Sequence, residues 1–171
     1  MPTKYPIKRI QTGMNNPILR NISEEIQEIN QEIVDFCNKL IVLMYQNKGV
    51  GLAAPQVGEN IRIIATSQRE KKKTKDKLLG ETIMINPVIK EKSKETILRE
   101  EACISLPNAT GIVRRHKTIV VEFMDIKGKK QNKKYKEFNA VIIQHEMDHL
   151  DGVLFLDKTV KIPEKKKSKK D

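Results

Sequence analysis

The sequence has no tryptophan, only two cysteines and only three histidines. Cys37 and Cys103 cannot build a disulfide framework, and in a reducing compartment a cysteine inside a motif serves more often as a ligand or nucleophile. Cys37 sits among apolar residues at helical spacing and reads as a buried, inert thiol. No apolar run approaches the roughly 18 residues that a membrane span needs. Residues 1–10 lack the apolar core of a secretory signal. A cytoplasmic protein is expected, or one of an organelle matrix where a leader has been removed, with no membrane partner. Internal repeats and low-complexity linkers are also missing.

Aromatic residues are scarce, at 4%, while 33 basic side chains outnumber 22 acidic ones and give a net charge of +11. The excess gathers in residues 69–77 (REKKKTKDK) and 164–170 (EKKKSKK). Neither run interleaves aromatics, so neither forms a base-reading surface, and no sequence-specific nucleic-acid partner is expected. The first run reads as a solvated loop. The second belongs to a basic tail, residues 161–171, expected to be disordered; it reads either as solvated chain or as a nonspecific contact to the ribosome surface. With 171 residues, 38% of them hydrophobic, residues 1–160 are expected to form one domain around a single core.

Periodicity gives the elements. Ile22, Ile26, Ile29, Ile33, Phe36, Leu40 and Leu43 recur at steps of four and three, which predicts one long amphipathic helix over residues 21–46, capped by Ser23. Gly49 and Gly51 stop it. Strands are expected over residues 62–66, 82–89 and 118–125, the second interrupted by Pro87 as at an edge or bulge. Residues 95–106 read as extended, and residues 132–137 return as a hairpin partner after Gly128. Asn139 then caps a second helix that runs to Leu150 and is ended by Gly152. The class is α+β, with mostly antiparallel sheets packed around the second helix.

That second helix carries His145-Glu146-Met147-Asp148-His149. Residues four apart lie about one turn apart on the same helix face, so both imidazoles can bind one metal ion. Glu146, beside the first histidine, can reach a water activated by that ion. A polar triad after the apolar run Ala140, Val141, Ile142, Ile143 would be costly to bury without a purpose. Two ligands do not hold a catalytic metal. Six residues after His149, where one group of H-E-x-x-H proteases has a third histidine, this chain has Phe155. The carboxylates beyond, Asp157 and Glu164, have no clear helix to present them. Upstream, Cys103 is the natural third ligand, because a thiolate binds iron or zinc strongly. His116, crowded by Arg114, Arg115 and Lys117, is a weaker candidate. A Cys/His/His site with an open fourth position suits hydrolysis, with Glu146 as general base.

Three segments resemble the peptide deformylases. They are Gly49-Val50-Gly51-Leu52-Ala53-Ala54-Pro55-Gln56-Val57-Gly58, then Glu101-Ala102-Cys103-Ile104-Ser105, then Gln144-His145-Glu146-Met147-Asp148-His149-Leu150-Asp151-Gly152. They occur in the family's order, and the resemblance runs from about residue 16 to residue 157. It implies removal of the formyl group from formyl-methionine at the N-terminus of newly made polypeptides, releasing formate. It also implies Cys103, His145 and His149 as ligands of Fe²⁺, with Zn²⁺ or Ni²⁺ as substitutes, and Glu146 as general base and acid. Gln56 and the backbone N–H of Ile104 would stabilise the oxyanion, and Gly51 would let backbone approach the substrate. Val50, Phe138, Val141 and Ile142 match the methionine pocket.

Two positions depart from the family pattern. Ala102 stands where glycine is usual, which is tolerable in a regular strand but not at positive φ. Arg99 stands where an apolar pocket residue is frequent; its stem could line the slot with its head in solvent, or it could narrow the slot. The alternative to an enzyme is a deformylase-like metal-binding protein with lost or altered activity.

Overall fold

The computed structural model describes residues 4–70 and 77–161. The tail at 162–171 and most of the first basic run, residues 71–76, lie outside the described residues. Both sheets are antiparallel. One has five strands in the order β1-β2-β3-β6-β7: β1 (Gly51–Ala53), β2 (Ile63–Glu70), β3 (Lys77–Lys92), β6 (Thr118–Met124) and β7 (Lys130–Lys136). The other is the pair β4 (Thr96–Cys103) and β5 (Leu106–His116).

The alternation of side chains along a strand explains how the five-stranded sheet serves two helices. A one-turn helix, α1 (Pro17–Arg20), precedes α2 (Gln31–Gln46). On β2, Ile63 and Ala65 join the core under α2, with Ile33, Phe36, Leu40 and Met44. Ile64, between them, points the other way into a second core with Ala140, Ile143 and Leu150 of α3 (Glu137–Leu150). The sheet is therefore sandwiched between α2 and α3. Each such Ile, Leu or Phe removed from water contributes about 1.5–3 kcal/mol. A third cluster, Leu106, Val113, Leu154 and Phe155, closes the space under β5.

Strand β3 pairs with β2 up to Ile85 and with β6 from Ile85 onward. The register shifts between Ile85 and Val88, so Pro87 marks a bulge and not an edge.

Three expectations need correction. The first helix does not begin at residue 21. Residues 21–30 are non-helical, and α2 starts at Gln31 behind Asn30, whose side chain accepts from Ile33 N–H at 3.1 Å. The preceding segment is held from outside. Ser23 N–H donates to Leu150 O, Glu24 bridges Ile61, and the Asn86 amide bonds both the N–H and the C=O of Ile26. Ile22 is left 70% exposed, so it was never part of a buried stripe. The second correction concerns α3, which begins at Glu137, two residues before the expected cap. Asn139 instead accepts from Arg69 N–H at 3.0 Å and donates to Arg69 O at 2.8 Å, tying α3 to the end of β2. The third is β5, a strand the sequence did not suggest.

Candidate metal centre

Helix α3 presents His145 and His149 with ring centroids 5.1 Å apart. Strand β4 ends at Cys103, whose Sγ lies 3.3 Å from His149 Nε2. One ligand atom from each of the three residues falls within 4.8 Å of the others. His116 is elsewhere: its Nδ1 is 2.7 Å from Ser93 O. The donors fit a metal. One thiolate and two imidazoles suit Fe²⁺, Zn²⁺ or Ni²⁺ and not Mg²⁺ or Ca²⁺, which take oxygen.

The ring of His145 is oriented from behind. Glu101 Oε2 lies 2.8 Å from its Nδ1, which leaves Nε2 for the ion. Phe155 stacks on the same ring at 6.1 Å. Glu101 is in turn gripped by Arg115, at 2.8 and 2.9 Å, and Arg115 also pairs with Asp148, one residue before His149. Lys158 reaches Asp148 at 2.6 Å. Burial disfavours the Glu101 carboxylate, but the bonds from Arg115 and His145 outweigh it and hold its pKa at about 2. Burial opposes charge on His145, yet the bonds to Cys103 and Glu101 push its pKa up to about 10. Burial, then the charge of His145, holds His149 well below its ordinary value. Ligation requires both rings neutral, so an ion held here would replace the proton on His145.

Glu146 is buried, and its Oε2 has no hydrogen-bond partner among the described residues. Burial raises its carboxyl to about 7; a cation held beside it would pull that value down. A Cβ built on Gly51 would stand 2.7 Å from Glu146 Cδ. The glycine thus makes room for this carboxylate as well as for anything entering the cleft. Gln56 is fixed at both ends. Its Oε1 accepts from Ala53 N–H at 2.9 Å, and its Nε2 lies 3.3 Å from Cys103 Sγ and 3.2 Å from Ser105 Oγ.

One cleft of about 460 Å³ is lined by Val50, Gly51, Gln56, Arg99, Cys103, Ile104, Phe138, Val141, Ile142, His145 and Glu146. Of the site residues that the family resemblance implied, His149 alone is absent from its wall, being 1% exposed behind Cys103. Ala102 lies in β4 opposite Thr110 and does not have positive φ, so its methyl group is accommodated by ordinary strand geometry. The sequence reading missed the supporting residues Ser105, Arg115 and Phe155, and gave Glu101 no role. Glu101 and Ser105 were visible inside the cysteine motif. For Arg115 the only signal was a local cluster of positive charge.

An α+β fold that delivers a strand-end cysteine sulfur to two imidazoles of an H-E-x-x-H helix belongs to a metallohydrolase. The chain matches the polypeptide deformylase family over residues 7–166. It is 39% identical to a peptide deformylase of Finegoldia magna over 150 residues, 88% of each chain. It is also 39% identical to that of Borreliella burgdorferi over 142 residues, 83% of this chain and 82% of the relative. Among solved structures, a class I type b peptide deformylase of Acinetobacter baumannii with Met-Ala-Ser bound superposes with a TM-score of 0.82 at 28% identity, covering 90% of this chain and 99% of that one. A Plasmodium falciparum deformylase in complex with an inhibitor gives 0.77 at 35% identity, covering 90% of each. The chain belongs to the peptide deformylase family, and its activity is removal of the formyl group from the N-terminus of new polypeptides. The reading as a metal-binding protein without turnover is not favoured.

Proposed function

We propose that Cys103, His145 and His149 hold a divalent ion, Fe²⁺ by family resemblance, in a site that hydrolyses formyl-methionyl peptides to formate and a free α-amine. When bound, such an ion supplies Lewis acidity that lowers the pKa of water towards ~7, by the effect seen with zinc. Helix α3 is then the metal-binding helix that the sheets enclose. Glu146 takes a proton from the attacking water and returns it to the leaving nitrogen as the formyl C–N bond breaks. Gln56 Nε2, by turning the N–H it gives to Cys103 Sγ towards the substrate, and the Ile104 N–H donate to the carbonyl oxygen as it gains charge. Donors aimed at charge that appears only in the transition state supply about 3–4 kcal/mol each. Ala53 N–H fixes the Gln56 amide so that Nε2 faces Cys103. The methionine side chain occupies the slot between Val50, Phe138, Val141 and Ile142, with Arg99 at its rim and Gly51 beside the substrate backbone. Such a slot separates similar apolar side chains by only ~1–3 kcal/mol.

The observation that carries this reading is the meeting of the Cys/His/His cluster with Glu146 and Gln56 at one cleft. The test is formate release from formyl-Met-Ala by the chain loaded anaerobically with Fe²⁺. Absence of release on several formyl peptides despite a full metal equivalent would overturn it. Residues 1–160 serve as one catalytic domain, in the cytoplasm or an organelle matrix. On its charge alone the basic tail at 161–171 is either solvated chain or a ribosome contact; equal co-sedimentation with ribosomes after removal of residues 164–171 would leave the solvated reading.

A further inference from the structure

The slot assigned to the methionine side chain is not apolar throughout. Arg99 places its guanidinium over the ring of Phe138, with Cζ 5.3 Å from the centroid. Both residues line the cleft together with Val50, Val141 and Ile142. A guanidinium held over an aromatic face keeps N–H donors at its edge for an acceptor. The carboxylates nearby do not use them. Glu101 is taken by Arg115 and His145, Glu146 is buried beside Gly51, and among the described residues neither Glu100, which also lines the cleft, nor any other carboxylate forms an ion pair with Arg99. The slot therefore has apolar walls and a fork of hydrogen-bond donors at its rim.

We propose that Arg99 is a specificity-determining residue, which lets the slot accept a first side chain ending in a hydrogen-bond acceptor, above all methionine sulfoxide. The inference rests on the proposed assignment of this slot to the first side chain. Methionine and its sulfoxide have the same carbon skeleton, but oxidation adds a strongly polar S=O group. A wholly apolar slot strips that oxygen of water without replacing the bond, and rejects it. A guanidinium edge donates to the oxygen directly, and a bond to a charged donor is about twice as strong as a neutral one. Norleucine, with a methylene in place of sulfur, has no acceptor and reports the walls alone.

The test compares formyl-methionine-sulfoxide-Ala with formyl-norleucine-Ala as substrates of the metal-loaded full chain, and reads the ratio of their kcat/KM values. In Arg99→Leu the ratio falls at least tenfold below wild type, mainly through KM, and Arg99→Lys recovers part of it. A smaller fall in Arg99→Leu, or none, overturns the role of Arg99 while formyl-Met-Ala turnover leaves the deformylase reading intact. Failure of the wild type on formyl-Met-Ala itself removes both.

Discussion

Cys37 lies on α2 with no exposed surface, in the apolar cluster that α2 forms with the five-stranded sheet. Cys103 ends β4 at the wall of a cleft, within 3.3 Å of both Gln56 Nε2 and His149 Nε2. The two side chains are identical and their settings are opposite. Around Cys37, burial among apolar side chains outweighs a backbone hydrogen bond to the sulfur and pushes its pKa from 9.0 up to about 12. Around Cys103, two imidazoles and an amide donor converge, and the sulfur becomes part of a donor set. The neighbours that the fold supplies decide which thiol can hold a metal.

The strongest way to break this comparison is to remove each sulfur in turn. Cys103→Ala is expected to lose both metal and formate release to background, whereas Cys37→Ala keeps both; a full metal equivalent in the first variant would dissolve the contrast. Next in size, Glu146→Ala lowers kcat by about 10²–10⁴-fold while metal content by mass spectrometry stays at wild type, if the carboxylate moves protons and is not a ligand, as proposed. Unchanged turnover there would remove Glu146 from the mechanism. Gly51→Ala forces a methyl group against the Glu146 carboxyl. A displacement of that kind costs about 10²-fold in kcat, with metal retained.

Smaller effects belong to the other cysteine. Cys37→Ser buries a hydroxyl in an apolar cluster and lowers the unfolding free energy by about 1–3 kcal/mol, measured by urea titration, and by more than Cys37→Ala does. The pH dependence sharpens the point. Above pH 9.0 the unfolded chain releases the Cys37 proton, while the folded chain keeps it to about 12. Folding then binds more protons than unfolding, so the contribution is complete below the lower value and is lost as pH rises through the window. The slope is about 1.4 kcal/mol per pH unit at most. Subtracting the curve of Cys37→Ala isolates it; coincident curves would show that this thiol titrates as freely in the fold as outside it.

The legible parts of the molecule were those in which local pattern and final environment agree. The alternation in residues 118–125 became β6, and the histidine spacing put both rings on α3. Where they disagree, the sequence misled. Ile22, Ile26 and Ile29 continue the helical spacing of α2, yet Asn86, Ile61 and Leu150 supply other partners for that backbone, and a chain satisfied from outside need not coil. Strand β5 was hidden because Pro107 and Gly111 weaken any strand pattern. Gly111 is nonetheless suited to its place, because Thr159 packs where a side chain would stand.

The sequence by itself determined the donor set, the helix that carries two of its members and the family to which the chain belongs, because metal chemistry restricts residue types and helix geometry fixes their spacing. Tertiary structure decided the rest. It brought Cys103 to His149 across 46 positions, set Arg115 behind Glu101, stacked Phe155 on His145 and laid Arg99 over Phe138. Those contacts join residues distant along the chain, and no local periodicity encodes which of many charged or aromatic side chains will meet once strands and helices have packed.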